Sequence, residues 1–355
     1  MRNTLPILLL ATLAACTADD MDAPAATTDG ATPIAFAGAR TAETDVTRAA
    51  TTPLEQEGVT SFRVWGAKNM SYAAATGYAD VQTVMQAYTV TWHDGGAATT
   101  SASHDWDYVN GTTQTIKYRD MSAAAYRFFA TAPATAGATA ATTADATSIT
   151  LDVDATDAAT VPLYSRLWVS NGSPADYPDR PFGQAVRLEF VRPVARVRFM
   201  FVQSDPAATV ALADKRFAPT DAAGIALRGT IAITYPLTGT ATAETWQTTP
   251  SAASADRLAA FTTDYYETPA DAGARTWYSV LPADARPFTL AVAIDGETRT
   301  IVVPAQYMAW QPGYAYTYVF KVSGEGGGSV ELDNVAAAFT PWQEVATESH
   351  EIYNW

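Results

Sequence analysis

From Tyr314 to Val322 every second residue is large and apolar: Tyr314, Tyr316, Tyr318, Phe320 and Val322. A side-chain period of two belongs to a strand, because successive side chains leave opposite faces of the pleat. The same period recurs in Phe62 and Val64, in Tyr88, Val90 and Trp92, and in Leu290, Val292 and Ile294. Asp94-Gly95-Gly96, Asn110-Gly111 and Asp295-Gly296 separate or follow such runs. These are hairpin signals, since tight hairpin turns need positive φ. Thr113–Tyr118 is predicted to be the strand returning from Asn110-Gly111, Tyr126–Ala130 the next strand, and the low-complexity Ala134–Thr147 a loop. No stretch sustains a 3.6-residue period with caps. The pattern predicts an all-β chain of two antiparallel β-sandwich domains.

Val186, Leu188 and Phe190 are apolar at even positions, whereas Ala195, Val197, Phe199 and Phe201 are apolar at odd ones. If both halves face one core, a bulge or bend near Arg192-Pro193 is required. Ile225, Leu227, Ile231, Ile233 and Tyr235 are predicted to line one long strand. The prolines in Tyr177–Phe182 mark the domain joint, which divides the chain into residues 34–182 and 183–355.

The N-terminus carries different information. Arg2 precedes an apolar run, Leu5–Leu13, too short to span a bilayer. Leu13-Ala14-Ala15-Cys16 then resembles the lipobox of bacterial lipoproteins, which implies lipid on the Cys16 sulfur and removal of residues 1–15. Cys16 is the only cysteine, so no disulfide competes for it. Removing Arg2 takes the net charge from -15 to -16, a balance that disfavours nucleic acid and anionic lipid surfaces. Residues 16–33 are Ala, Thr, Asp and Gly with little to bury, and read as a disordered tether. The acids Asp19, Asp20 and Asp22 resemble a surface-export signal of lipoproteins and also suit a merely solvated linker.

Chemistry-bearing clusters are scarce. His93, His104 and His350 lack the spacing of a metal pair, and no nucleophile elbow, Walker loop or dinucleotide fingerprint occurs. Asp152, Asp154 and Asp157 offer oxygens to calcium but lack the Gly and Glu of an EF-hand loop. No enzymatic activity, metal or cofactor is therefore expected. Trp92, Trp106, Trp246, Trp277 and Trp310 either stack on sugars or fill sandwich cores, the latter favoured by their in-phase neighbours.

Four stretches together resemble the fimbrillin family of type V pili, in its fimbrillin-like lipoprotein branch. They are the lipobox; Gln114-Thr115-Ile116-Lys117-Tyr118 followed by Tyr126-Arg127-Phe128-Phe129-Ala130; Trp310-Gln311-Pro312-Gly313-Tyr314 leading into Tyr316–Val322; and Phe339-Thr340-Pro341-Trp342. The resemblance implies transthyretin-like sandwiches, export to the outer membrane as a lipoprotein and cleavage after an Arg near the N-terminus. It also implies polymerisation with other pilin subunits by donated strands. A ligand on host or bacterial surfaces is a further partner in this reading.

Within that frame, Ile34 and Phe36 belong to a short apolar patch that suits a removable first edge strand. Arg48 is the favoured site of maturation and Arg40 the competing one. The C-terminal segment around Phe339–Trp355 is the candidate donor strand. The alternative function is a monomeric surface lipoprotein that binds glycans through exposed aromatic residues.

Overall fold

The computed structural model describes residues 32–41, 52–93, 106–111, 113–157, 160–171, 184–203, 212–217, 225–261, 265–266, 277–283, 288–294, 296–323 and 329–339. The first 31 residues, the turn at Asp94-Gly95-Gly96, the expected joint at residues 177–182 and residues 340–355 lie outside them. The described chain is all-β, with five sheets and only short 3-10 turns besides.

An eight-stranded sheet organises the N-terminal part. Its order is Arg40–Thr41, Glu189–Val191, Leu163–Ser165, Ala125–Ala132, Ser61–Ala73, Gly77–Trp92 and Trp106–Asp107, with Trp168–Asn171 also on Ala125–Ala132. Its central strands are apolar on both faces. Phe62 and Val64 of one strand meet Tyr126, Phe128 and Ala130 of its neighbour in one core, while Trp65, Ala67, Ala125 and Phe129 enter a second. All eight side chains of Ala125–Ala132 are buried. Residues 32–41 join the two ends of this sheet: Phe36 bridges Trp106 antiparallel on one side and Val186 in parallel on the other. The first core is thereby enclosed.

A four-stranded sheet covers the other face, in the order Thr245–Pro250, Arg228–Pro236, Ala146–Asp154, Ala138–Thr142. Arg228–Pro236 pairs antiparallel with Ala146–Asp154 in unbroken register, from Arg228 opposite Asp154 to Pro236 opposite Ala146. Ile231, Ile233 and Tyr235 share the second core with Ile149, Leu151 and Val153. The boundary expected between residues 182 and 183 therefore does not divide the sheets. Period-two patterning declares a strand, but which edge receives that strand is decided by packing in space.

A third core lies between a five-stranded sheet (Tyr265–Tyr266, Ala195–Gln203, Tyr314–Ser323 and Ser329–Phe339, with Tyr278–Val280 also on Ala195–Gln203) and a three-stranded one (Leu212–Phe217, Phe288–Ile294, Glu297–Val303). Tyr316, Tyr318, Phe320 and Val322 all face it, as their alternation predicts. Ala195–Gln203 runs parallel to Tyr314–Ser323.

The change of parity near Pro193 has a different cause from a bulge serving one core. Val186, Leu188 and Phe190 fill the first core, Val191 and Val194 the second, and Ala195, Val197, Phe199 and Phe201 the third. The chain leaves one sheet and enters another, so the facing side chains change parity. The long strand expected from Ile225 to Tyr235 divides in the same way: Ile225–Ala226 pairs with Arg257–Leu258, and Arg228–Pro236 follows separately.

Two local expectations are corrected. Ala138–Thr142, expected in a loop, is a strand paired to Ala146–Asp154; threonine favours the pleat, and the hairpin pairing overrides the weak strand preference of alanine. Thr113–Tyr118 is not a regular strand. Asn110 bridges Gln114, and Tyr118 bridges Pro33. The Gln114 side chain takes the place of a paired strand: its Oε1 accepts from Thr89 N–H at 2.8 Å, and its Nε2 donates to Thr89 O at 2.9 Å.

Candidate functional site

The segment 32–41 sits in a groove in the first core, held on both sides by main-chain hydrogen bonds. On one side Ile34 N–H donates to Lys117 O at 2.7 Å, and Arg119 N–H donates to Thr32 O at 2.8 Å. On the other, Val186 N–H donates to Ala35 O at 2.7 Å, Ala37 N–H to Val186 O at 3.1 Å, and Arg40 N–H to Leu188 O at 3.1 Å. Tyr108 Oη donates to Ile34 O at 2.8 Å, and burial pushes its own ionisation well above the usual phenol range.

The side chains complete the core. Ile34 is fully buried and Phe36 is 1% exposed. The Phe36 ring stands edge-on to Phe62, Tyr108 and Phe128 at centroid distances of 5.8, 5.9 and 5.8 Å. The patch is thus not an edge at Phe36, as sequence reading had it, but an inserted element with a neighbour on each side. Such a slot, with a backbone ladder on both flanks and apolar pockets between, has the chemistry of a strand acceptor.

At one end of the slot lies Arg119, whose guanidinium rests over the rings of Tyr126 and Trp168 at 5.2 and 5.7 Å. Its Nη2 donates to Gln184 O at 2.7 Å. Burial lowers its pKa to about 10, with the charges of Tyr126 and Tyr108 acting the other way. At the other end Arg40 pairs with Glu189 at 2.9 Å. That pair is partly exposed and so contributes no more than about 1 kcal/mol.

Of the residues expected to act, Ile34 and Phe36 lie in the slot and Arg40 at its exit. Cys16 and Arg48 lie outside the described residues. The slot's walls at Trp106, Tyr108, Lys117 and Val186 come from distant parts of the chain. Sequence reading marked several of them as strand residues but had no signal that they converge on Ile34 and Phe36.

Among the described residues no three His, Cys, Asp or Glu side chains are grouped to hold a metal. Asp154, one of the three acids considered for calcium, is ion-paired to Arg228 at 2.8 Å. Trp106 and Trp310 are buried, while Trp92 and Trp246 pack against cores. Trp277 lies under the guanidinium groups of Arg196 and Arg198 at 5.1 and 4.5 Å. No helix among the described residues is long and apolar enough to cross a membrane.

The fimbrillin-like family profile matches residues 47–342. The chain belongs to the fimbrillin-like family. Membership gives it a fimbria-related role. No curated protein matches the chain. Similar solved structures include a candidate cell adhesion protein from Bacteroides uniformis, with 15% identity, coverage of 87% of this chain and 98% of that one, and a TM-score of 0.37. Another from Parabacteroides distasonis has 11% identity, 88% and 99% coverage and a TM-score of 0.40. The fimbrial anchor protein Mfa2 from Porphyromonas gingivalis has 9% identity, 87% and 98% coverage and a TM-score of 0.35.

Proposed function

We propose that this member of the fimbrillin-like family is a structural or accessory subunit of a surface fimbria of type V. In this reading it is exported as a lipoprotein through Cys16, matured after Arg48, and assembled with other subunits by strand exchange. The observation that carries the reading is the slot occupied by Ile34 and Phe36, hydrogen-bonded along both flanks.

A cut after Arg48 severs this segment from the remaining chain without removing it. Loss into water leaves Lys117 O, Val186 N–H and O, and Leu188 O without partners, and opens an apolar groove. Each unsatisfied group and each uncovered ring is costly. Replacement by an incoming strand meets those needs, so exchange is favoured over simple loss. The C-terminal segment around Phe339–Trp355 is the proposed donor; Phe339 itself pairs with Tyr314, so residues 340–355, outside the described residues, are the part proposed to be donated.

Arg40 is the poorer cleavage site. Its N–H is bound to Leu188 O, and Thr41 N–H donates to Thr52 O at 3.2 Å. A protease must first unpair it. Trp106 and Trp310 are buried and Trp92 and Trp246 pack against cores, which supports this reading over sugar binding by those rings; among the described residues, Tyr72 and Tyr118 are the exposed aromatic ones.

The test is N-terminal sequencing of the surface-exposed protein, with a gel run without boiling, for the native chain and the Arg40→Ala, Arg48→Ala and double variants. The expected result is a mature chain starting at Ala49, a ladder of oligomers, and loss of both in Arg48→Ala. A surface chain that keeps residues 32–41, and polymerises equally well in the double variant, overturns the mechanism.

A further inference from the structure

The four-stranded sheet ends in a strand with no neighbour on its outer side among the described residues. Ala138–Thr142 is the last strand there. An open strand edge presents unpaired N–H and C=O groups to any extended chain, and proteins ordinarily blunt such edges with charge, proline or bulges.

The other terminal strands of five or more residues carry such guards, and the shorter ones offer too little edge to template a chain. Gly77–Trp92, paired on its outer side only near its ends, contains two non-glycine residues with φ of 54°, Asp80 and Ala87, and its register with Ser61–Ala73 shifts on both sides of Met85, beside Ala87. Glu297–Val303 carries Glu297 and Arg299, and Leu212–Phe217 carries Asp214, Lys215 and Arg216. Ser329–Phe339 carries Glu331 and Asp333, and Thr245–Pro250 ends in proline. Ala138-Thr139-Ala140-Ala141-Thr142 has no charge, no proline and no glycine, and its pairing with Ala146–Asp154 contains no shift.

The register identifies which groups are open. Thr143 N–H donates to Ala146 O at 2.8 Å, so odd residues turn their main-chain groups toward the neighbouring strand. Ala138, Ala140 and Thr142 turn theirs outward, where no partner is found among the described residues. The side chains of Ala140 and Thr142 are exposed.

We infer that this edge pairs with the same edge of a second copy, antiparallel and centred on Ala140, joining two four-stranded sheets into one. The pairing is self-complementary. Ala140 faces Ala140 of the other copy, Ala138 faces Thr142, and the outward groups of each strand meet in about six hydrogen bonds. A hydroxyl or methyl faces a methyl at every step. With a net charge of -15, two copies repel wherever carboxylates meet, and an uncharged strand is where they approach most easily. The contact has two-fold symmetry and closes at a dimer, unlike a ladder built by strand exchange. It is independent of the exchange mechanism, because it needs no cleavage and leaves residues 32–41 in place.

The lone cysteine of the chain makes the test direct. In the full, uncleaved chain carrying Cys16→Ser, Ala140→Cys introduces the sole thiol. Self-opposed Cα atoms in such a pair are ~5.5 Å apart, within disulfide reach, so mild oxidation should link Ala140→Cys chains about tenfold faster than an Ala75→Cys control on the exposed turn after Ser61–Ala73. Thr139→Cys, which faces Ala141 rather than itself, should link slowly. Adding Thr142→Lys to Ala140→Cys should return its linking rate to the control level with unchanged thermal melting. Equal rates for Ala140→Cys and Ala75→Cys, or for Ala140→Cys and Thr139→Cys, overturn the proposal. So does fast linking that persists with Thr142→Lys.

Discussion

The ring of Phe36 meets the ring of Phe128 edge-on, with centroids 5.8 Å apart and planes at 85°. One residue belongs to the inserted segment, the other to a central strand whose side chains are all buried. Phe36→Ala should therefore cost roughly 3–5 kcal/mol of stability in the uncleaved chain, by loss of burial and creation of a cavity. Urea unfolding measures this. A change below about 1 kcal/mol means the segment does not complete the core.

In the third core, Trp310 Nε1 donates to Tyr318 Oη at 2.6 Å, and Tyr318 Oη donates onward to Tyr307 O at 2.5 Å. Tyr318→Phe leaves a buried donor and an acceptor unpaired at almost constant volume. The expected loss is ~1–3 kcal/mol, with near-ultraviolet circular dichroism from Trp310 altered. Unchanged stability and spectrum would mean that water or another group serves both atoms.

Gly66 is required by space rather than by its backbone angles. A Cβ at this position would collide with the Phe128 ring, Cε1 and Cδ1 being the nearest atoms. Phe128 is fully buried and cannot swing away freely. Gly66→Ala should lower stability by about 1–3 kcal/mol through overpacking. Pairing it with Phe128→Leu should recover part of that loss, and strictly additive effects of the two changes would place the strain elsewhere.

Alkaline pH tests the buried phenols. Burial raises the pKa of Tyr316 to about 12, holds Tyr108, Tyr164 and Tyr318 higher still, and lifts Tyr235 well above the ordinary phenol value. Because the folded pKa exceeds the unfolded one, the folded state binds more protons above pH ~10, and stability falls as pH rises. The stabilisation is complete below pH ~10 and declines through the folded values. Arg119, lowered to about 10, and Arg192, also lowered by burial, act in the opposite direction but are outnumbered by the buried phenols. Phenolate absorbance from the buried tyrosines should therefore appear only together with loss of structure. One smooth titration of all 17 tyrosines before unfolding would refute this.

The alternation of Tyr314 through Val322, the Asp295-Gly296 hairpin and the run Val186, Leu188, Phe190 were legible because a strand's two faces are written into neighbouring residues. Period two determined that the chain is all-β, and residue types determined which positions are buried. Tertiary structure alone decided which strands meet. Arg228–Pro236 crosses to pair with Ala146–Asp154, and the parity change around Pro193 turned out to mark a passage between cores. Ile34 and Phe36 read as a lone apolar patch, and only the convergence of Trp106, Tyr108, Lys117 and Val186 makes their site a slot. Local sequence sets the φ/ψ preference and the apolar face of each strand. Edge choice and register between distant strands depend instead on which cores can close, a property of the whole chain that no local window contains.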